Sequence, residues 1–457
     1  MRRLRNLVQA ARDLAGDASG NFAILGGLTV SMLAMAAGFG INIAQLYNVK
    51  SGLKHAVDAA VTSTARDLTT GKIKAEDADT MVRAFLEANA ARLLAPGEKV
   101  VLRNVFVDRL AGTVEATADI DVNVYFPLFG TANRQRVTAT TASLYSNKKI
   151  EVAMMLDVTG SMKATKKTDK IGDLKKAAQN AVDQLLGGQD AANPRVRVSL
   201  VPYANSINVG ALAQSTVFVE QKGSERKQAP GMYDSKLASA SPRPDNCATE
   251  RKGNEQYTDA GPDIAMVNRD YLLTKYAQEN STTTCPAATL MPLTADSAAL
   301  KASIKSYVAS GGTAGHIGIQ WAWYTLSENW GQVMKASERP AKADPKDVTK
   351  VAILMTDGEF NLSYFDASTS DEVYNDNGKQ APRTAATTLC KAMRNKGIEI
   401  FTVGFQLDNA AAKQTMKDCA SPGSGSMKRY FEAATGAELD EAFQAIARNI
   451  EQLALTQ

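Results

Sequence analysis

Residues 150–162 read IEVAMMLDVTGSM, and this stretch decides the fold of the larger, C-terminal part of the chain. Its first half is an apolar run interrupted only by Glu151, which predicts a strand buried on both faces. Asp157, Thr159 and Ser161 follow at alternate positions, on a turn that contains a glycine. Hard oxygen donors at the carboxyl end of a buried strand predict a site for a small divalent cation.

Two later segments carry oxygen donors in the same kind of position. Residues 310–313 read SGGT and precede a helical stretch at 315–326, whereas 351–355 is a second buried strand followed by TDGE. The predicted ligands are two carboxylates and three hydroxyls: Asp157, Thr159, Ser161, Thr313 and Asp357. Mg²⁺ prefers few carboxylates and keeps waters, so this set predicts Mg²⁺ with at least one open coordination position; Mn²⁺ and Ca²⁺ are the alternatives.

At these residues the chain resembles the von Willebrand factor A fold with its metal-ion-dependent adhesion site (MIDAS). The pattern of that family is D-x-S-x-S, then a threonine, then an aspartate; here Thr159 replaces the first serine, and Thr313 and Asp357 match the later positions. The resemblance covers residues 149–453 and implies an α/β fold with a doubly wound, mainly parallel sheet. It also implies that the hydroxyls bind the metal directly and that an acidic side chain of a protein partner completes the shell.

An uncharged stretch near the N-terminus predicts a membrane anchor. Residues 22–46 read FAILGGLTVSMLAMAAGFGINIAQL, between Asp17 and Lys50, and are long enough to span a bilayer as a helix. The alternative is a cleaved signal peptide, since residues 34–36 read AMA, but the apolar run continues to Leu46 and favours a retained anchor. Arginines in the preceding tail favour a cytoplasmic N-terminus.

Periodicity predicts that the anchor helix continues beyond the membrane. Apolar residues recur at helical spacing to Leu68, so one helix is predicted over about 22–68 and a second over 75–94. Alternating patterns then predict a small antiparallel sheet, with strands at 100–107, 113–125 and 135–144. These patterns together predict a pilin-like α+β stalk at residues 48–147.

The order of these parts resembles the Tad/Flp pilus assembly protein TadG. The resemblance rests on Gly20-Asn21-Phe22 leading into the apolar helix, on Tyr47 and on the stretch LKHAVDAA at 53–60. It implies a single-pass protein of the bacterial inner membrane with its C-terminal domain periplasmic or extracellular. The predicted divisions are a cytoplasmic tail (1–20), a transmembrane helix (21–47), the stalk (48–147) and the A-like domain (148–457) with an insertion at 205–293.

Composition excludes several classes of function. The 457 residues carry a net charge of +4, which gives no electrostatic footprint for nucleic acid, and two histidines exclude most histidine-rich metal chemistry. The four cysteines fall into two sequence-local pairs, which predicts disulfides in an oxidising compartment. They are Cys247, Cys285, Cys390 and Cys419. Three pairings are possible, and we expect the local one, with each bridge contributing about 3–4 kcal/mol.

Three functions compete on these observations. The leading hypothesis is a non-enzymatic, membrane-anchored binding component of pilus assembly or surface adhesion that captures an acidic residue of a protein partner at the MIDAS. A metal-dependent hydrolase is the second, with His316 and Glu359 as the nearest helpers. The third is a structural pilin-like anchor whose metal only stabilises the fold. Two alternatives stay open for the insertion at 205–293. It either folds over the metal site and influences the choice of partner, or it is an addition to the surface without a role at that site.

Overall fold

The computed structural model describes residues 21–69, 71–90, 99–108, 112–127, 133–145, 148–187, 189, 194–220, 245–270, 285–344, 347–364, 382–423 and 427–456. The predicted cytoplasmic tail lies outside the described residues, as do 221–244 and 271–284 of the predicted insertion. The chain folds as two units, which we call the N-terminal and the C-terminal unit. They comprise Met1–Leu68 with Lys74–Tyr145, and Thr69–Ile73 with Ser146–Gln457.

One long helix, α1 (Asn21–Thr69), dominates the N-terminal unit. Its first half exposes apolar side chains such as Leu33, which is 66% exposed. Its second half buries a stripe at helical spacing: Leu53, Ala56, Val57, Ala60, Val61 and Leu68. Among the described residues, α1 is the one helix long and apolar enough to cross a membrane, with a mean hydropathy of 1.9 in its most apolar window. Such a helix near the N-terminus fits a membrane anchor or a signal sequence.

The other described residues of the N-terminal unit include a short helix and a three-stranded antiparallel sheet. The helix is α2 (Ala78–Ala90), and the strands are β1 (Val100–Asp108), β2 (Thr113–Asn123) and β3 (Arg134–Leu144), with β2 in the centre. Along β2, apolar residues at every second position are buried, from Val114 to Val122. This alternation is typical of a sheet with one buried face, and it fixes the register of the strands.

The C-terminal unit is built on a six-stranded sheet. Its strands are β4 (Lys149–Asp157), β5 (Val196–Tyr203), β10 (Met291–Thr294), β11 (Val348–Thr356), β12 (Glu399–Phe405) and β13 (Tyr430–Ala433). Their order across the sheet is β10-β5-β4-β11-β12-β13. All neighbours pair in parallel except β10, which runs antiparallel to β5. The described parts of the insertion contain four short strands: β6 (Ile207–Asn208), β7 (Val217–Val219), β8 (Cys247–Ala248) and β9 (Val267–Arg269).

Helices cover both faces of this sheet. Val152 and Met154 of β4 belong to one apolar core, whereas Ala153 and Met155 belong to a second core on the other face. The first core also contains residues of α3 (Lys170–Leu186), α5 (Ser297–Lys305) and α9 (Gly436–Thr456). The second contains residues of α6 (Gly315–Tyr324), α7 (Pro382–Asn395) and α8 (Ala410–Cys419), while α4 (Ala213–Thr216) lies in the insertion. The unit is therefore a mixed α/β fold with a mainly parallel sheet.

Both disulfides join cysteines that are close in sequence. Cys247 pairs with Cys285 across 38 residues of the insertion, and Cys390 pairs with Cys419 across 29 residues. The second bridge ties α7 to α8 on one face of the sheet. All four cysteines of the chain are thus paired in the local arrangement that the sequence predicts.

Candidate metal-binding site

The two predicted carboxylates meet at the ends of neighbouring strands. Asp157 is the last residue of β4, and Asp357 directly follows β11, which pairs with β4 in parallel. Asp157 is fully buried, Asp357 is 5% exposed, and the amide N–H of Asp357 donates to Asp157 Oδ2 over 3.3 Å. Parallel strands end at the same edge of a sheet, so residues two hundred positions apart become neighbours.

The two hydroxyls of the first loop link these carboxylates. Thr159 donates its backbone N–H to Asp157 Oδ1 (2.9 Å), and its hydroxyl lies 2.9 Å from Ser161 Oγ. Ser161 in turn donates to Asp357 Oδ1 over 2.5 Å. The loop is held down by Met162, whose side chain is fully buried, while Ser161 itself is exposed. Four of the five predicted ligands therefore form one hydrogen-bonded chain that reaches the surface.

The loop that carries Thr313 contacts the Asp157–Ser161 loop through its backbone. Gly160 donates its N–H to Gly311 O over 2.8 Å, and a Cβ added at Gly160 would lie 3.1 Å from that oxygen. Gly311 has a φ of 85°, a conformation that glycine adopts without strain. Asn361 accepts a hydrogen bond from the backbone of Thr313, which is 6% exposed. Both glycines thus allow the two loops to lie against each other.

Charges and hydrogen-bond donors around the carboxylates hold them in place. Asp157 Oδ2 accepts from the Tyr203 hydroxyl (2.8 Å) and from the Thr356 hydroxyl (2.9 Å). Burial, and after it the charge of Asp357, raises the pKa of Asp157 to about 6, and burial raises the pKa of Tyr203. Lys170, the first residue of α3, places its ammonium 2.8 Å from Asp357 Oδ2.

Sequence reasoning missed Lys170, Tyr203 and Thr356. Lys170 stands among several lysines with no pattern to single it out, and Tyr203 is one of 13 tyrosines with no motif around it. Their roles depend on which strands and helices are neighbours, and this is a property of the sheet order.

The donor set fits a hard divalent cation. Its members are carboxylate and hydroxyl oxygens alone, which suits Mg²⁺, Mn²⁺ or Ca²⁺ better than softer metals. Two carboxylates close together in a buried site also favour a positive charge between them. Burial first, and then the charge of Asp357, disfavours the ionised form of Asp157 and raises its pKa. In this structure the Lys170 ammonium supplies part of that charge.

A second group of potential ligands has another explanation. Asp245, Cys247 and Cys285 lie within reach of one ion, but both sulfurs belong to a disulfide. Asp245 accepts from the backbone N–H of Cys247 and forms a two-pronged ion pair with the buried Arg269. These contacts account for the group without a metal.

The two residues that a hydrolase would need are engaged elsewhere. His316 Nε2 lies 2.5 Å from Glu250 Oε1, and both side chains are buried. Glu359 accepts from Asn409 over 2.7 Å and forms an ion pair with Arg383.

Described parts of the insertion are buried next to the Thr313 loop. Glu250 accepts the backbone N–H of Tyr364, and the side chain of Arg251 is stacked over the rings of Tyr324 and Trp330 at 5.0 and 5.2 Å. Asn205, at the start of the insertion, accepts from Gly312 over 2.6 Å. The insertion therefore helps to position one of the metal-site loops.

Sequence comparisons give this chain no family. No protein-family model matches it, and no curated protein is similar to it.

Comparisons of structure give low similarities. The von Willebrand factor domain of the type V pili tip protein Mfa5 from Porphyromonas gingivalis is 16% identical, with a TM-score of 0.39 over 68% of this chain and 97% of that one. The pilus adhesin SpaC from Lactobacillus rhamnosus GG is 13% identical, with a TM-score of 0.38 over 78% of this chain and only 35% of SpaC. Proximal thread matrix protein 1 from the mussel byssus is 12% identical, with a TM-score of 0.32 over 82% of this chain and 51% of that one. At these values the likeness assigns neither a family nor a function.

Proposed function

We propose that this chain is a membrane-anchored protein that binds a protein partner through a divalent cation at the ends of β4 and β11. The observation that carries the proposal is the chain of hydrogen bonds from buried Asp157 through Thr159 and Ser161 to Asp357, with Ser161 exposed. Buried carboxylates alone would be a structural feature. Their connection to an exposed hydroxyl supports a site that opens to a partner.

In this proposal the five predicted ligands hold Mg²⁺, or Mn²⁺ or Ca²⁺ in its place. When bound, the cation supplies a Lewis-acidic positive charge that attracts a carboxylate of the partner. Asp157 acts as an acceptor that orients its neighbours, because it already receives hydrogen bonds from Thr159, Tyr203 and Thr356. A single carboxylate contact fixes the register of a complex, and the surface around Ser161 has to contribute most of the affinity.

The proposed setting is a bacterial pilus assembly or adhesion system of the Tad/Flp type. It follows from the resemblance to TadG and from the long apolar helix α1, which as a retained anchor would hold the chain in the inner membrane. The cytoplasmic N-terminus, and the periplasmic or extracellular position of the C-terminal unit, are part of the same proposal. Two disulfides in that unit support an oxidising compartment.

We propose a binding role and no catalysis for this site. A hydrolase of this kind would need a base close to the metal-bound water, and His316 and Glu359 are held by Glu250, Asn409 and Arg383.

The test combines metal binding with capture of the partner. Ser161→Ala removes a predicted ligand at the exposed end of the chain. Ser306→Ala is the matched control, since among the described residues the Ser306 hydroxyl donates to the backbone of Ser303. A photo-crosslinker at the exposed Lys163 would capture the partner in cells, and calorimetry would measure Mg²⁺ binding to the purified chain.

We expect Ser161→Ala and chelation each to abolish Mg²⁺-dependent capture, whereas Ser306→Ala retains it. Capture that persists in both treatments would reject metal-dependent binding and favour the structural-anchor role. Metal-dependent turnover of ester substrates would instead favour the hydrolase.

A further inference from the structure

Two side-chain amides of α1 pair with the tip of the β2–β3 hairpin, residues 123–127. Their hydrogen bonds to the backbone resemble those of a neighbouring strand. Asn42 Nδ2 donates to Phe126 O over 2.6 Å, and Phe126 N donates to Asn42 Oδ1 over 3.0 Å. Gln45 Nε2 donates to Asn123 O over 2.8 Å, and Tyr125 N donates to Gln45 Oε1 over 3.2 Å. Four backbone groups of the tip are therefore satisfied without water, as a lipid environment requires.

These contacts fall inside the uncharged stretch of α1. A Cβ added at Gly38 would lie 3.3 Å from Phe126 Cβ, so the tip covers α1 from Gly38 to Gln45. The apolar run ahead of Gly38, from Phe22 to Ala37, is only about 24 Å long, whereas the hydrocarbon layer is about 30 Å thick. Continuing to Ile41 gives about 30 Å. If α1 spans the bilayer, the tip has to enter the same layer.

The chemistry of the tip suits that position. Residues 122–133 read VNVYFPLFGTAN and carry no charge. Tyr125 is 71% exposed and Phe126 is 47% exposed, and such aromatic rings concentrate where hydrocarbon meets water. The next charged residue, Arg134, donates to Asn123 Oδ1 over 3.1 Å and marks the start of the polar part of the hairpin.

We propose that the hairpin tip, residues 123–127, inserts into the bilayer interface beside α1 and forms a second membrane contact of the N-terminal unit. The inference rests on the proposed anchoring by α1 and adds to it a fixed depth, with Asn42 and Gln45 at the interface. The occupant of the exposed aromatic surface is lipid, because that surface continues the apolar surface of α1.

Fluorescence quenching at single introduced cysteines tests the depth of the tip. The full chain suits this labelling because its own four cysteines are paired. An environment-sensitive dye is attached at Tyr125→Cys, at Met32→Cys as the control within the bilayer, and at Leu144→Cys as the control in water. Leu144 is 65% exposed and lies at the opposite end of the hairpin from the tip. The protein is reconstituted in phosphatidylethanolamine–phosphatidylglycerol vesicles with either nitroxide-labelled lipid or aqueous iodide.

We expect the dye at Tyr125→Cys to be quenched by the nitroxide lipid and protected from iodide, with the reverse at Leu144→Cys. Quenching by iodide at Tyr125→Cys would overturn the proposal, and protection from both quenchers would overturn it in favour of a protein contact. The dye at Met32→Cys distinguishes failure of the hairpin-tip proposal from failure of the proposed anchoring by α1. Lipid quenching there, together with iodide quenching at Tyr125→Cys, rejects the tip and keeps the anchor, whereas iodide quenching at Met32→Cys rejects the anchor itself.

A second pair of variants tests whether the hydrogen bonds of Asn42 hold the hairpin tip against α1. Asn42→Leu removes both bonds to Phe126 while making α1 more apolar, so we expect the dye at Tyr125→Cys to become accessible to iodide. Asn48→Leu makes the same change at an exposed position of α1 and should leave the dye in lipid. Equal lipid quenching in the two variants would overturn the role given to Asn42.

Discussion

Replacing Lys170 by methionine should destabilise the metal-free protein and tighten its binding of Mg²⁺. The ammonium of Lys170 lies 2.8 Å from Asp357 Oδ2, and the side chains of the two residues are 17% and 0% exposed. Methionine keeps much of the length of the lysine stem and removes the charge. The carboxylates of Asp157 and Asp357 would then lie together without a neutralising cation.

The magnitude follows from the burial of this ion pair. Removing one partner of a buried pair costs about 3–5 kcal/mol, because the remaining charge stays buried. Lys170 keeps some contact with water, and uptake of a proton by the carboxylate pair relieves part of the repulsion, so we expect a loss of about 2–3 kcal/mol at neutral pH. If Mg²⁺ binds as proposed, it has to displace the ammonium from Asp357 in the native chain. Every 1.4 kcal/mol that this displacement costs corresponds to about a tenfold change in Kd, so Lys170→Met should lower Kd about tenfold or more.

Urea unfolding with and without Mg²⁺, together with calorimetric titration of the metal, measures both effects. Lys167→Met is the matched control, because it removes an exposed lysine from the segment that leads into α3. Metal at a hundred times its Kd adds about 2.7 kcal/mol to stability and should therefore restore most of the loss in Lys170→Met.

Two results would refute this reasoning. If Lys170→Met unfolds at the same urea concentration as Lys167→Met, the ion pair contributes nothing to the metal-free state. If Lys170→Met binds Mg²⁺ more weakly than the native chain, Lys170 supports the metal site and does not compete for it.

Three further predictions concern the C-terminal unit. Burial, and after it the charge of Asp357, raises the pKa of Asp157 to about 6 from an ordinary 3.8, so its contribution to stability is full below about pH 4 and is lost as the pH rises through 6. Urea unfolding of the metal-free protein across this range should show the decline, and Asp157→Asn should remove it. Arg251→Met should cost about 2–4 kcal/mol in urea unfolding, because it removes the stacking over Tyr324 and Trp330 and the bond to Ala265 O; an unchanged midpoint would contradict this. Replacing both Cys390 and Cys419 by alanine should cost about 3–4 kcal/mol by loop closure, measured against the oxidised native chain; a loss below about 1 kcal/mol would show that α7 and α8 need no bridge.

The sequence predicts the helices and strands in which apolar residues recur at a regular spacing. The helix expected at about 22–68 is α1 (Asn21–Thr69), and the strand expected at 351–355 lies within β11 (Val348–Thr356). The start of α3 at Lys170 is different, because Asp169 caps this helix by accepting from the N–H of Gly172. A capping residue lies outside the apolar period, so the pattern alone places the helix start too late.

The order of the strands in the sheet cannot be predicted from the pattern of apolar residues. It brings Asp157 beside Asp357, and it also brings Arg197 of β5 and Lys350 of β11 to the buried Glu151 of β4. The apolar run that contains Glu151 identifies its strand as buried, but the partners of its charge come from other strands. In the same way, oxygen donors after buried strands identify the candidate site, whereas Lys170 and Tyr203 become visible only in the folded unit.

The antiparallel pairing of β10 with β5 has a consequence for how this protein can diversify. Two adjacent antiparallel strands need no more than a two-residue turn between them, so the whole segment from Asn205 to Leu293 is, in topological terms, an enlarged hairpin loop. Its ends lie at the carboxyl ends of the parallel strands, where Asn205 accepts from Gly312 of the Thr313 loop. Beyond such contacts the loop can be lengthened, shortened or exchanged, while the strand register that brings the two aspartates together stays unchanged.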